Sequence, residues 1–148
     1  FLNNMCNWFD LEEGSPNLIS PGKRVDFVVA PTQAFKGKDF FLSMGTPGSW
    51  GILQTTPQML MNVLDLGMNV QEAIEAPRFR YYTGLNVEME ERFPAHVRRE
   101  LENKGHEVTV IEAWSKRVGG AQAIQADIEA GVFQGAADPR RDGYAMGW

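Results

Sequence analysis

The stretch Gly45 to Phe79, GTPGSWGILQTTPQMLMNVLDLGMNVQEAIEAPRF, orders three local signals that leave the backbone few choices. Pro47-Gly48 is a turn signal, because proline presets its own φ and glycine accepts angles closed to other residues. Beyond it, Leu53, Leu60, Val63 and Leu64 share one helical side. Pro57 suits a first helical turn after Thr56, and Gly67 suits a C-terminal stop, so the spacing predicts a buried helix over about 57–66. Asn69 with Glu72 three residues on predicts a capping-box start. Pro77 should end this short second helix, whose Ala73 and Ile74 face inward.

The flanks read as strands and one further helix. Residues 11–24, LEEGSPNLISPGKR, are a surface loop after a short first strand, and Val25–Phe35 with Asp39–Met44 form a hairpin about Lys36-Gly37-Lys38. Phe79–Tyr82 and Leu85–Met89 are two short strands around Thr83-Gly84. Phe93, Val97 and Leu101 recur at helical spacing, with Pro94 in the first turn and Gly105 as a left-handed stop. His106–Ile111 alternates as a strand, and Ala121–Ile128 with Val132–Ala136 make a last hairpin across Glu129-Ala130-Gly131. Helices mixed with antiparallel strands predict the α+β class, with helices layered on sheet and one domain over residues 1–148. At that length a folded chain buries roughly two-thirds of its unfolded surface, enough for a core.

Charge and composition remove several function classes. Net charge is −5, and basic residues are scattered except at Arg98-Arg99 and Arg140-Arg141, so no phosphate-tracking stripe forms and nucleic acid is not an expected partner. No apolar run approaches the roughly 18 residues of a membrane span. Periplasmic, extracellular and cytoplasmic locations all remain open. The single cysteine, Cys6, excludes an internal disulfide and a multi-cysteine metal cluster, and it reads as a small buried residue rather than a nucleophile. His96 and His106 read as surface residues. G-x-S-x-G and H-E-x-x-H are lacking, so neither a serine triad nor a metal site has support, and no cofactor is expected. Thr46-Pro47-Gly48-Ser49 stands apart. A Gly-turn leading towards a helix can aim unpaired backbone N–H groups at a developing negative charge.

Gly45–Phe79, followed by the tail AADPRRDGYAMGW from Ala136, resembles in the same order the small subunit of the γ-glutamyltranspeptidase family of N-terminal-nucleophile hydrolases. The resemblance spans nearly all 148 residues and implies an αββα sandwich, of which this chain is a part. In that family a threonine freed by self-cleavage attacks an amide, and its own α-amino group serves as base. That threonine lies some tens of residues before the Asn-Asn segment matched by Asn3-Asn4. The resemblance therefore implies that residues 1–148 are the C-terminal part of a small subunit, lack its nucleophile strand, and are inert by themselves. It implies as partners the upstream part of the same precursor, namely a large subunit and the small subunit's first strand, and a small-molecule amide substrate. A homo-oligomer of such heterodimers is compatible with it. The family's Pro-Gly-Gly turn gives Gly48 and the backbone of Ser49 the role of oxyanion donors, with serine standing for the second glycine.

Substrate positions depart from the family's glutamyl pattern. Asn-Asn-Gln-x-Asp-Asp-Phe-like segments hold an α-ammonium, whereas Asn3-Asn4-Met5-Cys6-Asn7-Trp8-Phe9 puts Met5 and Trp8 in place of polar acceptors. The Ser-Ser pair that holds the α-carboxylate is matched by Phe27-Val28. Each charge-assisted hydrogen bond is worth about 1.5–3 kcal/mol, so two losses weaken glutamyl binding by roughly a hundredfold or more. Asn4, Met5, Trp8, Phe27 and Val28 are then expected to line a pocket for another acyl group, as in cephalosporin acylase-like or oxamate amidohydrolase-like members. Ordinary core packing is the competing reading of the four apolar residues. A non-catalytic binding or assembly protein is the alternative function class. The tail Asp138 to Gly143 reads as a structural ion-pair cluster.

Overall fold

The protein is described by a computed structural model over residues 3–148. In chain order its elements are β1 (Thr32–Lys36), β2 (Asp39–Gly45), α1 (Ile52–Leu64), α2 (Val70–Glu75), β3 (Phe79–Thr83), β4 (Asn86–Glu90), α3 (Ala95–Asn103), β5 (Glu107–Ile111), β6 (Gln122–Asp127) and β7 (Val132–Ala137). An antiparallel four-stranded sheet runs β1-β2-β6-β7, and a three-stranded sheet runs β3-β4-β5. The class is α+β, as expected. One pairing differs from the antiparallel expectation: β4 and β5 are parallel, because α3 carries the chain back between them.

The first hairpin is shorter than its apolar residues suggest. Pairing begins at Thr32↔Met44, and Val25–Pro31 is irregular. Pro31 has no N–H for a ladder, and the Thr32 hydroxyl donates back to the Ala30 carbonyl at 3.2 Å. The expected first strand also differs where it can be seen. Met5–Trp8 is a 3-10 turn, drawn in by the Asn3 side chain, which accepts from the Met5 N–H at 2.9 Å. Phe1 and Leu2 lie outside the described residues.

Helix α1 begins five residues before the expected start, with Pro57 inside it at the cost of one i→i−4 hydrogen bond. Its buried stripe is Thr55, Thr56, Met59 and Val63, while Leu53 and Leu64 are more than half exposed. Of the expected inward side, Val63 is buried and Leu60 packs against the core, whereas Leu53 and Leu64 turn outward. Thr55 can be buried because its hydroxyl donates to the Gly51 carbonyl at 2.9 Å. Helix α2 has the expected capping box: Glu72 N–H donates to Asn69 Oδ1 at 2.9 Å, and Asn69 N–H to Glu72 Oε2 at 3.0 Å.

The core forms where α1 and α2 cover one face of the four-stranded sheet. Met59, Val63, Val70, Ala73 and Ile74 meet Leu42, Met44, Ala121, Ala123 and Ala136. On the opposite face Ile124 and Phe133 are exposed, and the C-terminal segment approaches it where Ala145 lies beside Gly135. Helix α1 also closes the edge of β3. The Gln54 amide accepts from Tyr81 N–H at 2.6 Å and donates to Tyr81 carbonyl at 3.2 Å; Gln58 does the same to Phe79 at 3.1 and 2.8 Å. One turn of four helical residues rises about 6 Å and two strand residues about 6.7 Å, so residues at i, i+4 meet residues at i, i+2. No described helix is long and apolar enough to cross a membrane.

Candidate active site

Strand β2 ends at Gly45, which pairs with Gln122 of β6, and beyond that rung a side chain continues the pairing. Gly120 N–H donates to Thr46 Oγ1 at 3.0 Å, and the same hydroxyl donates to the Pro47 carbonyl at 2.9 Å. The chain then turns through two successive left-handed positions, Gly48 at φ 148° and Ser49 at φ 55°. Gly51 N–H returns to the Gly48 carbonyl at 3.0 Å, closing a 3-10 turn over Ser49–Gly51 that runs into α1. Among the described residues, neither the Gly48 nor the Ser49 N–H meets an acceptor. Two adjacent free donors at a braced turn are the arrangement that stabilises an oxyanion.

An aromatic corner adjoins the turn. Trp50 stands edge-on to Trp8 with ring centroids 5.8 Å apart, and Trp8 stands edge-on to Phe27 at 5.3 Å. The Asn17 amide holds the Trp8 carbonyl at 2.6 Å, tying the N-terminal segment to the following loop. Of the expected pocket residues, Trp8 and Phe27 are thus brought to the turn, with Trp50 as the link. Trp50 is 54% exposed and Phe27 40%, so neither is sealed in core packing here. Asn4 and Met5 belong to the same 3-10 turn as Trp8, with Asn4 exposed and Met5 half-buried. Val28 is buried, a packing position beside exposed Phe27. Cys6, expected to be buried, is exposed. Trp50 was not singled out by the sequence; its only signal there is an aromatic directly after the turn.

Behind the turn lies a buried ion network. The Arg140 guanidinium grips both Glu90 oxygens at 2.7 and 2.6 Å, reaches Asp138 Oδ1 at 3.1 Å, and caps the end of α2 through the Ile74 and Ala76 carbonyls at 2.9 and 3.0 Å. Arg78 pairs with Asp138, and Ala121 N–H donates to the same carboxylate at 2.9 Å. Arg92 joins Glu90 at 2.9 Å and lies 3.6 Å over the Trp114 ring. Burial pushes the Asp138 carboxyl up, but Arg78, the Arg140 and Ala121 N–H groups and Arg140 together outweigh it and hold it below its ordinary value. Burial and neighbouring Arg140 lower Arg78 despite its carboxylate partner. The tail cluster is therefore a scaffold, except that Arg141 stays outside it, exposed and donating to the Lys116 carbonyl at 3.3 Å. Glu88 and Glu90, which the sequence analysis did not single out, are buried; as alternate residues of β4 they share one face. Among the described residues no three His, Cys, Asp or Glu side chains gather as a metal set.

The sequence profile described as Gamma-glutamyltranspeptidase matches residues 1–148. The chain is 37% identical to the glutathione hydrolase-like YwrD proenzyme of Bacillus subtilis, over 99% of this chain and 29% of that protein. It is 37% identical to the acylase ACY 1 proenzyme of Pseudomonas sp. (strain SE83), over 95% of this chain and 24% of that one. The fold superposes on cephalosporin acylase from Bacillus halodurans with a TM-score of 0.89 and 31% identity, covering 98% of this chain and 27% of that one. It superposes on γ-glutamyltranspeptidase from Pseudomonas nitroreducens, complexed with L-DON, with a TM-score of 0.85 and 25% identity, covering 99% and 81%. The chain thus spans less than a third of the length of these two curated relatives. With the profile matched from end to end and the fold shared, the chain belongs to the γ-glutamyltranspeptidase family.

Proposed function

We propose that residues 1–148 are the C-terminal part of the small subunit of a self-cleaving precursor that hydrolyses a small amide or transfers its acyl group. The observation that carries this reading is the pair of unpaired N–H groups at Gly48 and Ser49, set beside an aromatic corner. The preceding chain would supply the threonine. Its hydroxyl attacks the amide carbon, its α-amino group takes the proton, and the two backbone donors meet the charge that develops on the carbonyl oxygen. The C–N bond then breaks, the amine leaves with the proton, and water or another amine takes the acyl group. A donor of this kind is worth about 3 kcal/mol in the transition state. Matches to proteins described as proenzymes, one glutathione hydrolase-like and one an acylase, support the reading.

The acyl group favoured is apolar. Trp8, Phe27 and Trp50 offer aromatic surface where a glutamyl α-ammonium and α-carboxylate would need polar partners, and leaving such charges unpaired costs several kcal/mol. The test is turnover of 3-phenylpropanoyl and γ-glutamyl p-nitroanilides by the full precursor, after N-terminal sequencing identifies a threonine-headed piece. The apolar amide should win by about tenfold or more in kcat/KM, which corresponds to about 1.4 kcal/mol. Faster turnover of the γ-glutamyl compound overturns the pocket assignment. Absence of both a threonine-headed piece and turnover overturns the catalytic reading and favours a binding or assembly role.

A further inference from the structure

We propose that Thr46 is a positioning residue for the oxyanion turn: its hydroxyl sets the plane of the Pro47–Gly48 peptide and so aims the Gly48 N–H. This rests on the oxyanion reading above and deepens it. In a trans peptide the C=O and N–H point in opposite directions, so a bond that fixes one fixes the other. Thr46 Oγ1 donates to the Pro47 carbonyl at 2.9 Å, which belongs to the same peptide unit as the Gly48 N–H. The hydroxyl is itself held, since it accepts from Gly120 N–H at 3.0 Å.

The facing loop is shaped for this contact. Gly119 sits at φ 101°, and a Cβ there would lie 2.4 Å from Thr46 Oγ1 and 3.0 Å from the Pro47 oxygen. Only a glycine leaves the hydroxyl its place. Ala121, directly after the donor Gly120, is anchored through its N–H to Asp138 Oδ2 at 2.9 Å and through its carbonyl to Asp138 N–H at 3.0 Å. The hydroxyl therefore couples the turn to the buried Arg78–Asp138–Arg140–Glu90 scaffold. Polarising the Pro47 carbonyl also strengthens the Gly48 N–H as a donor, because linked hydrogen bonds reinforce one another.

The test compares Thr46→Val, which keeps the shape and loses both bonds, with Thr46→Ser, which keeps the hydroxyl. To remove any dependence on self-cleavage, the large subunit and a threonine-headed small subunit are co-expressed as separate chains. Thr46→Val should lower kcat by roughly 10- to 100-fold, part of the 10²–10³ that one oxyanion donor supplies, with KM within about threefold. Thr46→Ser should restore most of kcat. Thr46→Ala, which cannot overpack, replaces the valine variant should that fail to fold. A tetrahedral probe, 2-phenylethylboronic acid, is measured against planar 3-phenylpropanoate on each protein. The wild type should prefer the boronate, and the hydroxyl-less variants should lose that preference while binding the carboxylate as before. Retained boronate preference and kcat in Thr46→Val overturn the role of Thr46 alone. No boronate preference in the wild type overturns the oxyanion reading and this inference with it.

Discussion

Ser49 shows what one side chain costs at a turn built for glycine. Its φ of 55° places Cβ in the left-handed region, where a non-glycine residue gives up about 1–2 kcal/mol. Gly48 occupies the same kind of position without penalty. Ser49→Gly should accordingly raise stability by about 1 kcal/mol, read as a higher urea midpoint with an unchanged denaturant slope. An unchanged or lower midpoint would mean that glycine's extra freedom in the unfolded chain cancels the relief. Pro47-Gly48 announces a turn in the sequence, and the family resemblance assigned it donors. That both N–H groups stay unpaired, and that Thr46 bridges to Gly120, depends on residues 74 apart and has no local signature.

At the scale of elements, the capped helix α2 was legible because both partners of its box lie three residues apart. The phase of α1 was legible only in part. Leu60 and Val63 face the core as expected, but Thr55 and Thr56 take the place of Leu53 and Leu64, since α1 must turn Gln54 and Gln58 towards β3. These glutamines act as a surrogate strand on an edge that would otherwise present free backbone groups. Replacing both with alanine should cost about 1–3 kcal/mol for four partly exposed bonds, and should speed hydrogen exchange at Phe79 and Tyr81 ahead of the core of β4. Uniform exchange across the three-stranded sheet would show that the edge is held by other contacts. Parallel pairing of β4 and β5 was equally hidden, because strand periodicity carries no direction.

Across the whole molecule, one buried network joins the end of α2, strand β4, the loop before β6 and the C-terminal segment. Removing one partner of such a network leaves a buried charge uncompensated, so Asp138→Asn should destabilise by roughly 3–5 kcal/mol. The carboxyl's folded pKa is depressed, so its contribution is fully present above the unfolded value, about 3.9, and is lost as pH falls through the lower folded value. Wild-type stability should therefore fall with acid below about pH 4, and Asp138→Asn should flatten that slope in urea unfolding measured across the range. An unchanged slope would place the acid sensitivity elsewhere.

The sequence by itself determined the α+β class, most strand and turn positions, the capping box and the family, because these rest on signals within a few residues of one another or on a long ordered match. Only the tertiary structure decided that Thr55 and Thr56 complete the buried side of α1, which acids go inside, and how Trp8, Phe27 and Trp50 meet at the turn. Glu88 and Glu90 lie inside because Arg80 and Arg117 meet the first and Arg92 and Arg140 the second, with Arg117 and Arg140 coming from later segments of the chain. A buried charge is tolerable only when its partners are already in place, and partners so distant in the chain are supplied by the fold.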